Sequence, residues 1–147
     1  MNAPIGRITL CQDDNGICAL IFGGRSGRMD ETALLLQAEH ELEEYFAGRR
    51  KAFSVPLSMH GTAFQMRVWQ ALQEIPWGEI VSYGEIARRI GNAKACRAVG
   101  MANHVNPLPI FVPCHRVVGA DGKLTGYGGG LDIKTKLLEI EGLHVEI

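Results

Sequence analysis

Glycine and proline cut this chain into short pieces, and that punctuation limits its fold more than any other feature. Turn signals stand at Asp13-Asp14-Asn15-Gly16, Gly23-Gly24, Gly48, Pro76-Trp77-Gly78, Gly91-Asn92, Pro107, Pro109 and Gly126 to Gly130. Between them no apolar run approaches the roughly 18 residues that a membrane span needs. Seven of the 18 glycines lie between Gly119 and Gly142, so the C-terminal third holds a loop made largely of backbone. A chain of 147 residues with 46% hydrophobic and 21% charged content can still bury a real core, which excludes a disordered or fibrous protein. One domain, or one domain with a small appendage, is expected.

The first pieces read as strands. Arg7 to Cys11 alternates polar and apolar residues, the Asp13–Gly16 turn follows, and Ile17 to Phe22 returns as the second arm of a hairpin. Asp30 to Ala47 has helical spacing, with Leu35, Ala38, Leu42, Tyr45 and Phe46 on one stripe. Arg49 to Gly61 reads as a short strand and a linker, and a boundary falls near Gly61. After it the periodicity turns helical. Thr62 and Gln65 form a capping box ahead of a stripe of Phe64, Val68, Trp69, Leu72 and Ile75. Ser82 and Glu85 form a second box, and a further helix is expected over 93–103. Ile110 to Val112 and Val117-Val118 read as short buried strands, and Asp132 as the cap of a last helix that ends at Gly142. The expected class is α+β: a small N-terminal α/β domain, 1–61, and a mainly helical C-terminal domain, 62–147.

Two constellations carry chemistry. Two short helices joined by a glycine turn over about 82–103 match a helix-turn-helix. Residues 82–118 carry Arg88, Arg89, Lys94, Arg97 and Arg116 against Glu85 alone, so a net charge of −1 averages one basic strip and an acidic remainder. The second helix is rich in small residues, Ala95, Cys96, Ala98, Gly100 and Ala102, which would let its backbone approach a duplex. An ordinary helical hairpin with a solvated basic face fits the same pattern. The second constellation is Cys114 with His115 and Arg116. A buried apolar thiol is the plain reading. A nucleophile is the sharper one, since a histidine or cation nearby raises the thiolate fraction. Adjacent side chains on a regular strand point apart, so a Cys114–His115 pair needs a local turn. Glu141 could orient the histidine as a third group. Cys11, Cys18 and Cys96 read as buried, reduced thiols, and with the remaining histidines they make no metal spacing. The start of the chain, Met1 to Arg7, lacks the pattern of a signal peptide, so a cytoplasmic protein is expected.

Pro113-Cys114-His115-Arg116-Val117 resembles the PCHRV signature of the O6-alkylguanine-DNA alkyltransferases, also called methylated-DNA–protein-cysteine methyltransferases. Phe64-Gln65 with Val68-Trp69, Gly78-Glu79 with Ser82-Tyr83, Arg97 to Gly100, Asn106-Pro107, and Thr125 to Tyr127 with Gly129-Gly130 stand in the family's order from about Gly61 to Gly142. Leu42 to Gly48 resembles the N-terminal domain of bacterial members. The resemblance implies direct-reversal repair of O6-alkylguanine, and of O4-alkylthymine, in double-stranded DNA. The alkyl group would pass irreversibly to Cys114, in one turnover, without metal or other cofactor. It implies a helix-turn-helix in the minor groove, with Arg97 entering the base stack and Tyr83 promoting nucleotide flipping. Lys94, Ala95, Cys96 and Gly100 would share that DNA face. His115, acting through a water and oriented by Glu141, would take the thiol proton, and Asn106 would support the turn that holds both. Pro109, Val117, Tyr127 and Gly128 would line the base pocket.

The resemblance further implies a monomer, nucleoid-associated in a prokaryote. Members in which the nucleophile is replaced bind alkylated DNA without repairing it, and Cys114 separates this chain from them. A Cys–His hydrolase would use the same pair, but leaves the helix-turn-helix unused. The chain departs from the family at Thr135-Lys136, where Glu-Trp is common, and at Gly128, where serine or alanine is common. The first departure predicts a weaker seat for Glu141; the second predicts a roomier pocket.

Overall fold

A computed structural model describes residues 1–23, 32–122 and 130–144. Three antiparallel strands open the chain: β1 (Asn2–Ala3), β2 (Gly6–Asp13) and β3 (Gly16–Phe22), in the order β1-β2-β3. Asp13 pairs with Gly16 at the hairpin turn, where the Asp13 carboxylate accepts from the Asn15 and Gly16 amides. Gly16 has a positive φ of 154°, and a Cβ there would stand 2.5 Å from the Pro56 carbonyl oxygen, so no larger residue fits this approach. Helix α1 (Ala33–Phe46) follows, capped by Thr32, and buries Ala38, Leu42 and Tyr45 as the spacing requires. Its start falls later than Asp30, which lies outside the described residues.

The strand expected between Arg49 and Gly61 is absent among the described residues; one bridge, Ile17 to Leu57, is all the sheet pairing there. The segment is held by a side chain instead. Glu41 of α1, 2% exposed, accepts from the Ser54 amide at 2.8 Å, the Ser54 hydroxyl at 2.6 Å and the Val55 amide at 3.3 Å. A buried carboxylate that satisfies backbone donors removes their need for a partner strand.

Helix α2 (Ala63–Gln73) carries the complete Thr62–Gln65 capping box, and its stripe buries Val68, Trp69 and Leu72. β4 (Val81–Ser82) leads into α3 (Tyr83–Arg89). Ser82 caps α3 as expected, but Glu85 turns its carboxylate to Arg88 and Arg89 rather than back to the cap. Gly91, at φ +83°, reverses the chain. Helix α4 (Cys96–His104) then begins three residues later than expected, because Ala95 offers no side-chain cap and 93–95 form a turn. Trp69 Nε1 donates to the Ala102 carbonyl at 2.9 Å and so fixes α4 against α2.

Ile110–Val112 is not a strand. Ile110 takes a positive φ of 77°, and the Val112 amide turns back to the Leu108 carbonyl at 2.8 Å. Such a backbone disfavours a β-branched residue and persists only where the surroundings enforce it; Ile110 is 1% exposed. A single 3-10 turn (Cys114–Arg116) leads into β5 (Val117–Val118), which pairs in parallel with β4. Helix α5 (Leu131–Ile140) closes the described chain. Its N-cap is Gly130, and Asp132 lies within the first turn, where its charge still favours the positive helix end. One core cluster joins Ile8, Ile17, Leu20, Leu42 and Tyr45 with Trp69, Leu72, Ile86, Val99, Val112 and Leu137.

Candidate active site

The turn that a Cys114–His115 pair requires is present, and two asparagines hold it. Asn106 Nδ2 donates to the Val112 carbonyl at 2.9 Å, while its Oδ1 accepts from the Leu108 amide at 2.9 Å. Asn103 Nδ2 donates to the Cys114 carbonyl at 3.4 Å. Within the 3-10 turn, successive side chains are separated by about 120° rather than alternating across a strand. Cys114 is 3% exposed and His115 is fully buried.

Glu141, just past α5, is the electrostatic centre. Its carboxylate meets His115 Nε2 at 2.5 Å, Arg116 Nε at 2.7 Å and Nη2 at 3.1 Å, the Tyr45 hydroxyl at 2.6 Å and the Gly78 amide at 3.2 Å. Gly78 reaches this position with a φ of +81°. Burial alone would raise the pKa of Glu141, but the bonds and charge of His115, Arg116 and Tyr45 outweigh it and hold the pKa at about 2. Burial pushes His115 below the usual histidine value despite the carboxylate, so the imidazole is neutral. An ionised Glu141 can only accept, so Nε2 carries the ring proton and Nδ1 carries the lone pair. Nδ1 is buried and has no hydrogen-bond partner among the described residues. The arrangement is a base with its back nitrogen fixed and its front nitrogen free.

Lys134 is a second buried cation, with Nζ donating to the Val117 carbonyl at 2.7 Å. Burial lowers its pKa to about 8, and the charge of Cys114 works against that drop. The coupling is mutual: the ammonium favours the Cys114 thiolate.

A cavity of about 210 Å³ opens on Cys114, lined by Leu20, Ile21, Phe22, Asn103, His104, Asn106, Pro109 and Cys114. A larger one, about 420 Å³, lies beyond Arg116 between Phe53, Trp77 and Phe111, and Cys114 does not line it. Of the residues expected at the pocket, Pro109 lines the smaller cavity. Val117 is fully buried and does not line that cavity; its carbonyl accepts from Lys134. Tyr127 and Gly128 lie outside the described residues.

The expected DNA face is partly reshaped. Lys94, Cys96 and Arg97 are exposed on and before α4, Ala95 and Gly100 are partly exposed, and Tyr83 opens α3, partly buried against the core. Cys96 is therefore a surface thiol and not a buried one, and Cys11 and Cys18 are only half-buried. Arg116 leaves the basic strip altogether, since Glu141 takes it inward. Arg88 and Arg89 share Glu85, which leaves Lys94 and Arg97 without an ion pair among the described residues. The position of Lys136 is exposed while Leu137 and Leu138 are buried, so the departure from the family's tryptophan falls on the solvent side of α5. Glu141 is seated regardless.

Tyr45 was legible only as a core residue on an apolar stripe, and Lys134 and Asn103 gave no signal. Among the described residues no group of three His, Cys, Asp or Glu side chains could hold a metal, and no helix is long and apolar enough to cross a membrane.

Two family models cover the chain. The 6-O-methylguanine DNA methyltransferase DNA binding domain matches residues 63–143, and the ribonuclease-like domain of the same family matches residues 1–59. The methylated-DNA–protein-cysteine methyltransferase of Mycobacterium bovis is 60% identical over 147 residues, covering 96% of this chain and 89% of the relative. That of Methanosarcina acetivorans is 50% identical over 147 residues, covering 95% and 94%. The crystal structure of Mycobacterium tuberculosis OGT in complex with DNA superposes with a TM-score of 0.89 at 46% identity, covering 99% of this chain and 92% of that one. The chain belongs to the 6-O-methylguanine DNA methyltransferase family.

Proposed function

We propose that this protein repairs double-stranded DNA by moving the alkyl group of O6-alkylguanine onto its own Cys114. The observation that carries the reading is the neutral His115, pinned at Nε2 by Glu141 and free at Nδ1, beside a buried thiol that opens on a cavity. The thiol proton passes to His115 Nδ1 through a water, with Lys134 favouring the thiolate. Sγ attacks the alkyl carbon in line, the carbon–O6 bond breaks, and its electron pair stays on guanine. Guanine takes up a proton and remains in the DNA as a normal base. The thioether has no hydrolytic route, so each molecule acts once and needs no cofactor. O4-alkylthymine offers the same carbon–oxygen bond and is a second substrate.

The reacting carbon is out of reach in a stacked duplex, so the nucleotide is flipped. Arg97, exposed on α4, fills the gap, and Tyr83 crowds the backbone at the start of α3. Lys94, Ala95, Cys96 and Gly100 form the approach surface. A Cβ at Gly100 would meet nothing within 4 Å, so packing inside the fold does not demand glycine there, and its absent side chain leaves room for a duplex to approach. Asn106 holds the turn, and Pro109, Tyr127 and Gly128 enclose the base. The helical part from 62 onward carries the chemistry, and 1–61 supports it. The protein acts as a monomer in the cytoplasm, at the nucleoid of a prokaryote.

The test is intact mass after incubation with an O6-methylguanine duplex. A gain of one methyl on Cys114, absent in Cys114→Ala, is expected. Binding without a mass change would overturn the reading.

A further inference from the structure

The middle of α4 carries an apolar side chain that neither the core nor the transfer chemistry uses. Val99, Ala102 and Asn103 bury the inner face of the helix. Arg97, Met101 and His104 recur at spacings of four and three on the opposite face, and all are exposed. Met101 is 64% exposed, more than any other large hydrophobic residue among those described, and takes no part in the core cluster. The other exposed ones are Ile21, Leu36 and Val105. Ile21 lines the cavity at Cys114 together with His104, and Val105 follows His104 along the chain. Three of the four thus stand on or beside the rim of one cavity. Single exposed apolar residues need no explanation, but a group at one site marks a surface that a partner covers. Lys94 and Arg97 adjoin it, and 94–105 contains no acidic residue, so the partner that fits is a polyanion.

We infer that Met101 is a positioning residue for repair, an apolar wedge that holds the target nucleotide outside the duplex by packing against its deoxyribose. The inference rests on the repair reading and deepens it. In that reading Arg97 fills the vacated stack, and the extruded base enters the cavity that His104 borders. Met101 stands between the two, one helical turn from each. The sugar of the extruded nucleotide crosses this part of α4, and its carbon–hydrogen face is the apolar surface available there. A thioether side chain brings no charge to phosphate. It brings apolar area on a flexible stem, as the methionine and other wedges of minor-groove proteins do. The contact forms once the nucleotide has left the stack, so it favours the extruded state over the stacked one.

The experiment uses the full chain and an O6-methylguanine duplex with 2-aminopurine as the neighbouring base, whose emission rises when it loses its stacking partner. The wild type is compared with Met101→Gln, similar in length but polar, and with Met101→Leu, which stays apolar. Single-turnover transfer at saturating protein is expected to fall about five- to tenfold in Met101→Gln, the range that covering part of one large apolar side chain confers. Met101→Leu is expected to stay within about twofold of the wild type. The 2-aminopurine rise, read in the Cys114→Ser background where no transfer occurs, is expected to shrink with Met101→Gln and to persist with Met101→Leu. The slope of log Kd against log salt should match the wild type in both, because no phosphate contact is lost. Thermal melts of the three proteins should coincide, since the side chain lies outside the core. A wild-type transfer rate in Met101→Gln overturns the inference. So does a changed salt slope, a Met101→Leu as slow as Met101→Gln, or no 2-aminopurine rise with Cys114→Ser. Absence of transfer from the duplex by the wild type is a different result, since it removes the repair reading itself.

Discussion

Glu141 shows how a few buried atoms set both the chemistry and the acid stability of this fold. It accepts from Arg116, Tyr45, His115 and the Gly78 amide while fully buried. Its pKa is about 2 in the folded chain against 4.5 in the unfolded one, so its contribution is complete above pH 4.5 and is lost as pH falls toward 2. Two and a half units correspond to about 3 kcal/mol. His115 adds an earlier loss: burial holds its pKa below 6.5, so the unfolded chain takes up that proton first and stability declines as pH drops below 6.5. Melting temperature is therefore expected to fall in two stages on acidification. Asp13 and Glu41 also have lowered pKa values, so the check is the difference between the wild type and Glu141→Gln. The variant strands Arg116 and starts about 3–5 kcal/mol less stable. The gap between the two proteins should close between pH 4.5 and 2; parallel curves there would remove Glu141 as the source. Cys114 and His115 were legible because they stand side by side in one motif, and Asn106 because the family resemblance extends to Asn106-Pro107. The roles of Tyr45 and Lys134, and the inward pairing of Arg116 with Glu141, were not, because the partners lie far along the chain. A tyrosine at helical spacing looks like core until Glu141 is folded against it.

Among the elements, α4 and α5 separate what periodicity can reveal from what it cannot. Alternation and helical spacing located the hairpin and the α-helices α1 to α5 among the described residues. They missed the turn at Ile110, which depends on a positive φ enforced by burial, and the unpaired run after α1, whose donors go to Glu41. At α4, the DNA face proposed above, with Lys94, Arg97 and Gly100, predicts an effect on duplex DNA and not on the alkyl-transfer step. Arg97→Ala should lower the repair rate on O6-methylguanine duplex by at least about tenfold, the scale of one or two kcal/mol. Reaction with free O6-benzylguanine should change less than about twofold. Mass-resolved kinetics on the two substrates decides, and equal losses would take Arg97 out of the flipping role. For α5, the solvent-facing position of Lys136 makes the family's tryptophan dispensable to the fold. A thermal melt of Lys136→Trp should lie within about 2 °C of the wild type, as for other surface changes. A larger gain would mean that the position packs against something the burial pattern does not show.

Across the whole molecule, the N-terminal third is built into the site rather than attached to it. The Leu20 amide donates to the Pro107 carbonyl at 2.9 Å, which ties β3 to the loop that carries Cys114. Leu20, Ile21 and Phe22 wall the cavity, and the Tyr45 hydroxyl reaches Glu141 across 96 residues of sequence. Tyr45 also packs edge-on against Trp77, with ring centroids 5.3 Å apart. The boundary near Gly61 is where hydrophobic periodicity changes from strand-and-linker to helical, which sequence shows well. It says nothing about whether the two sides share a core, because that depends on which faces meet. Here one cluster runs through both sides. Cooperative unfolding follows when no interface is weak enough to open first. Trp69 lies within the C-terminal side, Trp77 packs against Tyr45 and so reports where the two sides meet, and far-UV circular dichroism reports the whole chain. In urea the two signals should trace one coincident transition with a common midpoint. A loss of ellipticity that precedes the main tryptophan transition, accompanied only by the change from Trp77 losing Tyr45, would mean that the N-terminal third opens first, leaving Glu141 without its Tyr45 donor and the Cys114 cavity without its β3 wall.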